Sequence, residues 1–300
     1  MELRHLRYFV RVAEERHFGR AAADLGISQP PLSQQIRALE EELGVPLLER
    51  TSRRVELTEA GRLFLPEARA TLAQAAHAAD VARRALAGEI GTLAVAFSSS
   101  VPFVPVVGRA LAGFRRDHPA IHLTLAELPR DDQFDQLATR AIDLGFVRGF
   151  EPLPLPPLLS AILIGEEPLL VAIPTDHALA QEDRPLGAAD LAGLPVVQYQ
   201  AAAGAGFTDH LSAIFRRRGL DLHVAQEVGG LASLIGLVAA GIGIALLPRS
   251  LGTLKADGLT WRPFDEPGAL SRLWLVHHQQ WPKTARLFAA LLSAGAEQDE

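Results

Sequence analysis

Four polar side chains, Gln29, Ser33, Gln34 and Arg37, have the types and spacing to address base edges and phosphates in a DNA major groove. Helical periodicity leaves them on the outer faces when Leu32, Ile36, Leu39 and Leu43 turn inward. Arg50, Arg53 and Arg54 follow in a short basic hairpin, where guanidinium groups suit phosphates. A second group lies further along. Ser98, Ser99 and Ser100 follow an apolar strand and precede a helix, the edge of an open α/β sheet at which ligands bind. Hydroxyls and backbone N–H groups at a helix start suit a carboxylate or a phosphate. Arg148 follows the strand 142–147, and Arg130 follows the strand that ends near Glu127, so both can reach the same edge. The small-residue loop between Tyr199 and Phe207 is placed to line an opposite wall. Each group also has a plainer reading: a helical hairpin with a polar outside, serines that cap a helix, and arginines that face solvent.

The elements that must position these groups read as follows. Leu3, Leu6, Phe9, Val10 and Ala13 form one face of a first helix. A second short helix ends near Leu25, and Gly26 supplies a turn. Ser28 is placed to cap the third helix, with Pro30 and Pro31 in its first turn, where missing N–H groups cost little. Residues 47–50 and 54–57 then form the strands of a wing. Glu40, Glu41 and Glu42 read as a solvated face. Thr58 can cap a long helix that runs to about residue 87. Its seam of Phe64, Ala68, Thr71, Ala75, Ala79, Ala82 and Leu86 is made mostly of small residues and suits close helix pairing in a dimer. Packing of that helix on its own domain is the alternative, and Pro66 should kink it near its start.

After residue 89 the pattern alternates strands with helices, which argues for an α/β sheet with largely parallel strands. Strands are expected at 92–97, 121–127, 142–147, 158–164, 169–173, 196–199, 222–227, 244–247 and 272–276. Helices are expected at 104–116, 131–140, 207–218, 231–240 and 283–293. These make two lobes, one at about 89–164 and 270–300 and the other at about 165–269, with a ligand cleft between them.

Composition narrows the function. The 300 residues are 48% hydrophobic and 21% charged, enough to bury cores. There is no cysteine, so disulfides, thiolate metal sites and cysteine nucleophiles are excluded. The net charge of −6 does not advertise nucleic acid, and residues 1–62 hold ten arginines and ten acids. Distribution therefore matters more than the sum. The N-terminus lacks the apolar run of a signal peptide. The uncharged stretch 228–248 approaches the length of a membrane span, but its five glycines mark it as a buried helix, a turn and a buried strand. No nucleophile elbow, phosphate loop or zinc-binding helix motif is present, and His277 and His278 should face opposite sides of a strand. No catalytic residue, metal or cofactor is expected.

The motifs Leu3-Arg-His-Leu-Arg-Tyr-Phe9, Ser28-Gln-Pro-Pro-Leu-Ser33 and Leu57-Thr-Glu-Ala-Gly61 resemble those of LysR-type transcriptional regulators. The later runs Ile142-Asp-Leu-Gly145, Leu237-Val-Ala-Ala-Gly-Ile-Gly243 and Leu246-Leu-Pro-Arg249 are similar to runs in that family's effector-binding domain. The resemblance implies an α/β protein overall. It would comprise an all-α winged helix-turn-helix (1–58), a dimerising linker helix (59–88) and two α/β subdomains (89–300) like a type 2 periplasmic binding protein. It also implies a cytoplasmic, non-enzymatic homotetramer. Such a protein binds double-stranded DNA and a small effector, contacts RNA polymerase, and activates or represses.

Base-reading and phosphate-holding roles then fall on Ser28, Gln29, Pro30, Ser33, Gln34, Arg37, Arg50, Arg53 and Arg54. Effector-binding roles fall on Ser99, Ser100, Arg130, Arg148, Tyr199 and Phe207. The runs 2–10 and 141–148 look most like the branch that controls aromatic-compound catabolism, whose members respond to muconate-like dicarboxylates or aromatic acids. The two arginines favour a carboxylate. Departures from that branch are the pair Ser98-Ser99, Arg130 and Gln34. A solute-binding protein and an enzyme on the two lobes are the competing classes, but neither accounts for residues 1–88.

Overall fold

The computed structural model describes residues 1–50, 55–149, 153–200 and 206–296. The chain separates into two compact units, Met1–Ala85 and Leu86–Glu300.

The first unit opens with α1 (Leu3–Glu15), α2 (Phe18–Asp24) and α3 (Gln29–Leu43). The hairpin β1 (Leu48–Arg50) and β2 (Val55–Leu57) follows, then α4 (Glu59–Ala87). Leu6, Phe9, Val12, Ala21, Leu32, Ile36 and Leu39 close one core with Leu47 and Ala68. Two expected core positions are corrected. Leu3 and Leu43 are 42% and 36% exposed, because each lies at a helix end beyond the reach of the facing helices. Gly44 terminates α3 with φ +71°, a conformation that glycine adopts at little cost.

Capping also differs from expectation. Ser28 occupies the N-cap position of α3 but makes no side-chain cap hydrogen bond. His17 caps α2, its Nδ1 accepting from the N–H groups of Gly19 (3.0 Å) and Arg20 (3.3 Å). Glu40 does not sit on a solvated face. Its Oε1 accepts from the Leu47 and Leu48 N–H groups at 2.9 and 3.0 Å, fixing where the hairpin starts. Thr58 does cap α4: its Oγ1 accepts from Gly61 N–H at 2.9 Å and donates to the Pro46 carbonyl at 2.7 Å. A Cβ on Gly61 would lie 2.0 Å from the Leu47 carbonyl oxygen, so only glycine lets this first turn pack so closely. The assignment of α4 runs unbroken through Pro66, and the helix is largely exposed beyond Leu72 in the single chain.

The second unit begins with β3 (Gly91–Phe97), a 3-10 turn at Val101–Phe103, and α5 (Pro105–Asp117). Next come β4 (Ile121–Glu127), α6 (Arg130–Ala138), β5 (Leu144–Gly149) and β6 (Leu159–Pro174). Then follow β7 (Val196–Tyr199), α7 (Phe207–Arg217), β8 (Val224–Val228), α8 (Leu231–Ala239) and β9 (Ala245–Pro248). The unit ends with β10 (Leu259–Pro263), β11 (Leu270–His278) and α9 (Lys283–Ala296).

The main sheet has the order β10-β6-β11-β5-β3-β4, with β9 also on β6. It is mixed, not largely parallel. β3 pairs parallel with β4 and β5, whereas β6 and β11 run antiparallel to their partners. The link from β5 to β6 is too short for a parallel crossover, and its described residues, 153–158, contain no helix.

The two strands expected at 158–164 and 169–173 are one strand. β6 pairs with β11 through Pro168 and with β9 and β10 from Leu169 onward, so a single strand passes from one lobe into the other. One lobe buries Leu93, Phe114, Phe146 and Phe288, and the other buries Val171, Leu211, Phe215 and Leu246. The stretch 228–248 forms the end of β8, α8, a turn and β9, and among the described residues no helix is long and apolar enough to cross a membrane.

Candidate nucleic-acid interface and ligand cleft

In the first unit, α3 places its polar residues as its periodicity requires. Leu32, Ile36 and Leu39 are fully buried, while Ser28, Gln29, Pro30, Gln34 and Arg37 are exposed and Ser33 is half-buried. The exposed groups run along one outer surface of a helix of the diameter that a major groove admits. Arg50 ends β1, while Arg53 and Arg54 lie outside the described residues.

In the second unit, the C-terminal ends of the parallel strands β3, β4 and β5 lie at one sheet edge. Ser98–Ser100 do not lead straight into a long helix; a single 3-10 turn separates them from α5. The helix-start argument for an anion therefore does not apply to them, and other donors take its place. Neither the Ser99 nor the Ser100 N–H makes a hydrogen bond among the described residues. The Ser98 hydroxyl is buried without a partner among the described residues. The buried Tyr199 hydroxyl, on the other lobe, lies beside Ser99 and makes no hydrogen bond of normal geometry among the described residues. Burial pushes the Tyr199 phenol above its ordinary pKa, so it stays a donor. Ser98, Ser99, Glu127 and Tyr199 line a half-open cleft cavity of about 110 Å³, together with Leu128, Pro129 and Gly229.

Arg148 lies just behind this cavity and is already engaged. Its Nε donates to Ser100 Oγ at 2.8 Å, Nη1 to Ser271 Oγ at 3.0 Å and Nη2 to Ser250 Oγ at 3.1 Å. Nη2 also pairs with Glu167 Oε1 at 2.6 Å. Glu167 is held in turn by the backbone N–H and the hydroxyl of Ser250. Burial pushes the guanidinium below its ordinary pKa, and the charge and hydrogen bond of Glu167 oppose that shift. Arg148 thus brings no uncompensated positive charge to the cleft; it fixes Ser100 and joins β5 to β6 and to the turn after β9.

A second cavity, of about 570 Å³, lies on the far side of this cluster between Val104, Ile164, Arg249 and Leu273. On its wall Arg148, Glu167, Ser250 and Ser271 satisfy one another, and Arg249 stands exposed at the rim.

The remaining expected site residues divide. Arg130 opens α6, pairs with Asp131 at 2.9 Å and lies over the Phe134 ring at 5.7 Å. It also reaches the start of α7, where a Cβ on Gly206 would lie 2.8 Å from its Nη1. Phe207 is 9% exposed and packs into the core of its own lobe, so its ring is a packing group. The small-residue loop at 201–205 lies outside the described residues. His277 stacks on Trp281 at 3.7 Å, and His278 Nδ1 accepts from Gln280 N–H at 3.0 Å, so both rings serve the fold.

Sequence reasoning missed Glu127, Glu167, Ser250 and Ser271. Glu166-Glu167 inside an apolar run was the one available signal, since a charge in a buried strand needs a partner. Nothing in the sequence marks Ser250 or Ser271.

Comparison with known proteins adds an independent finding. Residues 3–62 match the family described as "Bacterial regulatory helix-turn-helix protein, lysR family", and residues 86–297 match the "LysR substrate binding domain". The chain is 44% identical over 297 residues to the uncharacterized HTH-type transcriptional regulator YnfL of Escherichia coli (strain K12), covering 98% of this chain and 99% of that one. It is 36% identical over 278 residues to the HTH-type transcriptional regulator BenM of Acinetobacter baylyi, covering 92% and 90%. Among solved structures, full-length CbnR complexed with its target DNA superposes with a TM-score of 0.81 at 28% identity, covering 99% of this chain and 100% of that one.

Proposed function

Because the chain belongs to the LysR family of transcriptional regulators, a regulator rather than an enzyme, we propose that α3 reads operator bases while a small carboxylate effector in the 110 Å³ cleft controls the outcome. Gln29, Ser33 and Gln34 contact bases, while Ser28, Pro30, Arg37 and the hairpin arginines Arg50, Arg53 and Arg54 position the helix on phosphates and sugars. The effector carboxylate takes the Ser99 and Ser100 N–H groups and the Ser98 and Tyr199 hydroxyls. Arg148 acts by holding Ser100 in place, Arg130 stands against the start of α7, and Phe207 supports that lobe from its core.

One observation carries this reading: the Ser98 and Tyr199 hydroxyls and the Ser99 N–H meet at one cavity without a partner of normal geometry among the described residues, whereas buried polar groups ordinarily have partners. The exposed part of α4 beyond Leu72 is the pairing surface of a dimer, two dimers form a tetramer, and the assembly works in the cytoplasm in contact with RNA polymerase. A role in aromatic-compound catabolism is a second reading. It is favoured by the likeness of residues 2–10 and 141–148 to regulators of that branch and by the identity to BenM.

The test is a salt titration of binding to the DNA upstream of the protein's own gene. A specific preference over random DNA, with affinity falling steeply as salt rises, is expected. Equal affinity for both at moderate salt would overturn the reading.

A further inference from the structure

We propose that Glu127 makes this cleft a zwitterion site, selecting a small α-amino acid over a plain carboxylate. The inference rests on the reading of the cleft as the effector site and names the ligand class it takes.

Three observations lead to it. First, the site has no uncompensated positive charge to attract a simple anion, since Arg148 is paired with Glu167 at 2.6 Å and Arg130 with Asp131 at 2.9 Å. Second, a carboxylate lines the cavity. Glu127 is the last residue of β4, and its side chain makes no ion pair or hydrogen bond among the described residues. A second anion placed against it would be repelled, whereas an ammonium group would gain a charge-assisted hydrogen bond. Third, donors and acceptor sit side by side. Phe97 and Glu127 are register partners, so the Ser98 hydroxyl and the Ser99 N–H, which follow β3, neighbour the carboxylate that ends β4. An α-amino acid, whose carboxylate and ammonium are joined through one carbon, satisfies both.

The cavity, about 110 Å³, has room for the head group of a small α-amino acid such as glycine, alanine or serine.

The experiment is a thermal-shift and calorimetric titration of the full-length protein with glycine, L-alanine and L-serine. Acetate and propionate serve as amine-free matches, and methylamine as the carboxylate-free one. The same titrations are run on Glu127→Gln and Tyr199→Phe. Glu127 is exposed at the rim and holds no other group, so Glu127→Gln should melt as the parent does without ligand.

The expected result is a melting shift from at least one of the amino acids, and none from acetate, propionate or methylamine at equal concentration. Binding should be about tenfold or more weaker in Glu127→Gln. Equal shifts from acetate or propionate, unchanged in Glu127→Gln but lost in Tyr199→Phe, would overturn the zwitterion and leave a carboxylate cleft. Amino-acid binding unchanged in Glu127→Gln would remove Glu127 from the site. No shift from any probe would overturn both the ligand class and the cleft reading.

Discussion

The outer face of α3 and the cluster around Arg148 both gather polar residues, and they do so under opposite constraints. On α3, Gln29, Gln34 and Arg37 are exposed. Their partners are supplied from outside, so the fold need only present them. Arg148 is 9% exposed, and its partners, Ser100, Glu167, Ser250 and Ser271, come from four separate segments of the chain. A buried guanidinium must be satisfied internally. The contrast is instructive: the exposed set is free to set specificity and contributes little to stability, while the buried set is committed to stability and acts on the ligand only through what it holds.

The largest expected effect tests the buried half. Glu167→Ala leaves Arg148 buried beside three hydroxyls and no counter-charge, which costs about 3–5 kcal/mol of folding stability by chemical denaturation. A loss within about 0.5 kcal/mol, as expected for an ordinary surface change, would show that the cluster is not committed to the fold.

The exposed half predicts the reverse pattern. Gln34→Ala should leave stability unchanged and reduce discrimination between operator and altered sequence by about 1–3 kcal/mol. Arg37→Ala should weaken all sequences alike and lower the salt slope by about one. Competition binding over a range of salt separates the two, and exchanged behaviour would refute the division of roles.

The smallest effect is on acid stability and lies apart from both regions. Hydrogen bonds from Arg184 and from Gly187 N–H hold Asp190 at a pKa of about 2, against 3.8 for an ordinary aspartate. Its stabilisation is fully present above pH 3.8 and is lost as pH falls toward 2. Asp190→Asn should therefore flatten this part of the acid-unfolding curve and leave the neutral region little changed in slope.

How much was legible follows the same divide. Leu32, Ile36 and Leu39 repeat at the helical period and are buried, so α3 could be read directly from the chain. Leu43 repeats with them yet is exposed, because periodicity does not say where the facing helices end. Most strands of the second unit were legible from their apolar runs, but β10 was not, since its Leu-Thr-Trp-Arg-Pro sequence carries no apolar run, and the strand partners were not either. Glu166, Glu167 and Pro168 looked like a break between two strands. They lie within β6 because Glu167 meets Arg148 and because the strand changes neighbours at Pro168. Ser99, Ser100 and Tyr199 were found as sheet-edge residues, whereas Glu127 was read only as the end of a strand. Local pattern reports the face a residue presents. A site assembled across two lobes depends on pairings of distant segments, which no local pattern encodes.

The central claim is that one chain couples a cleft ligand to an exposed DNA-reading helix. Coupling of binding free energies must be reciprocal. The direct measurement is calorimetric affinity for the amino acid or carboxylate that stabilises the full-length protein most, with and without saturating operator duplex. In parallel, the affinity for the duplex is measured with and without that compound. The account predicts that both ratios depart from one by the same factor, on the order of 5- to 150-fold. Ligand affinity that is identical with and without operator would contradict it.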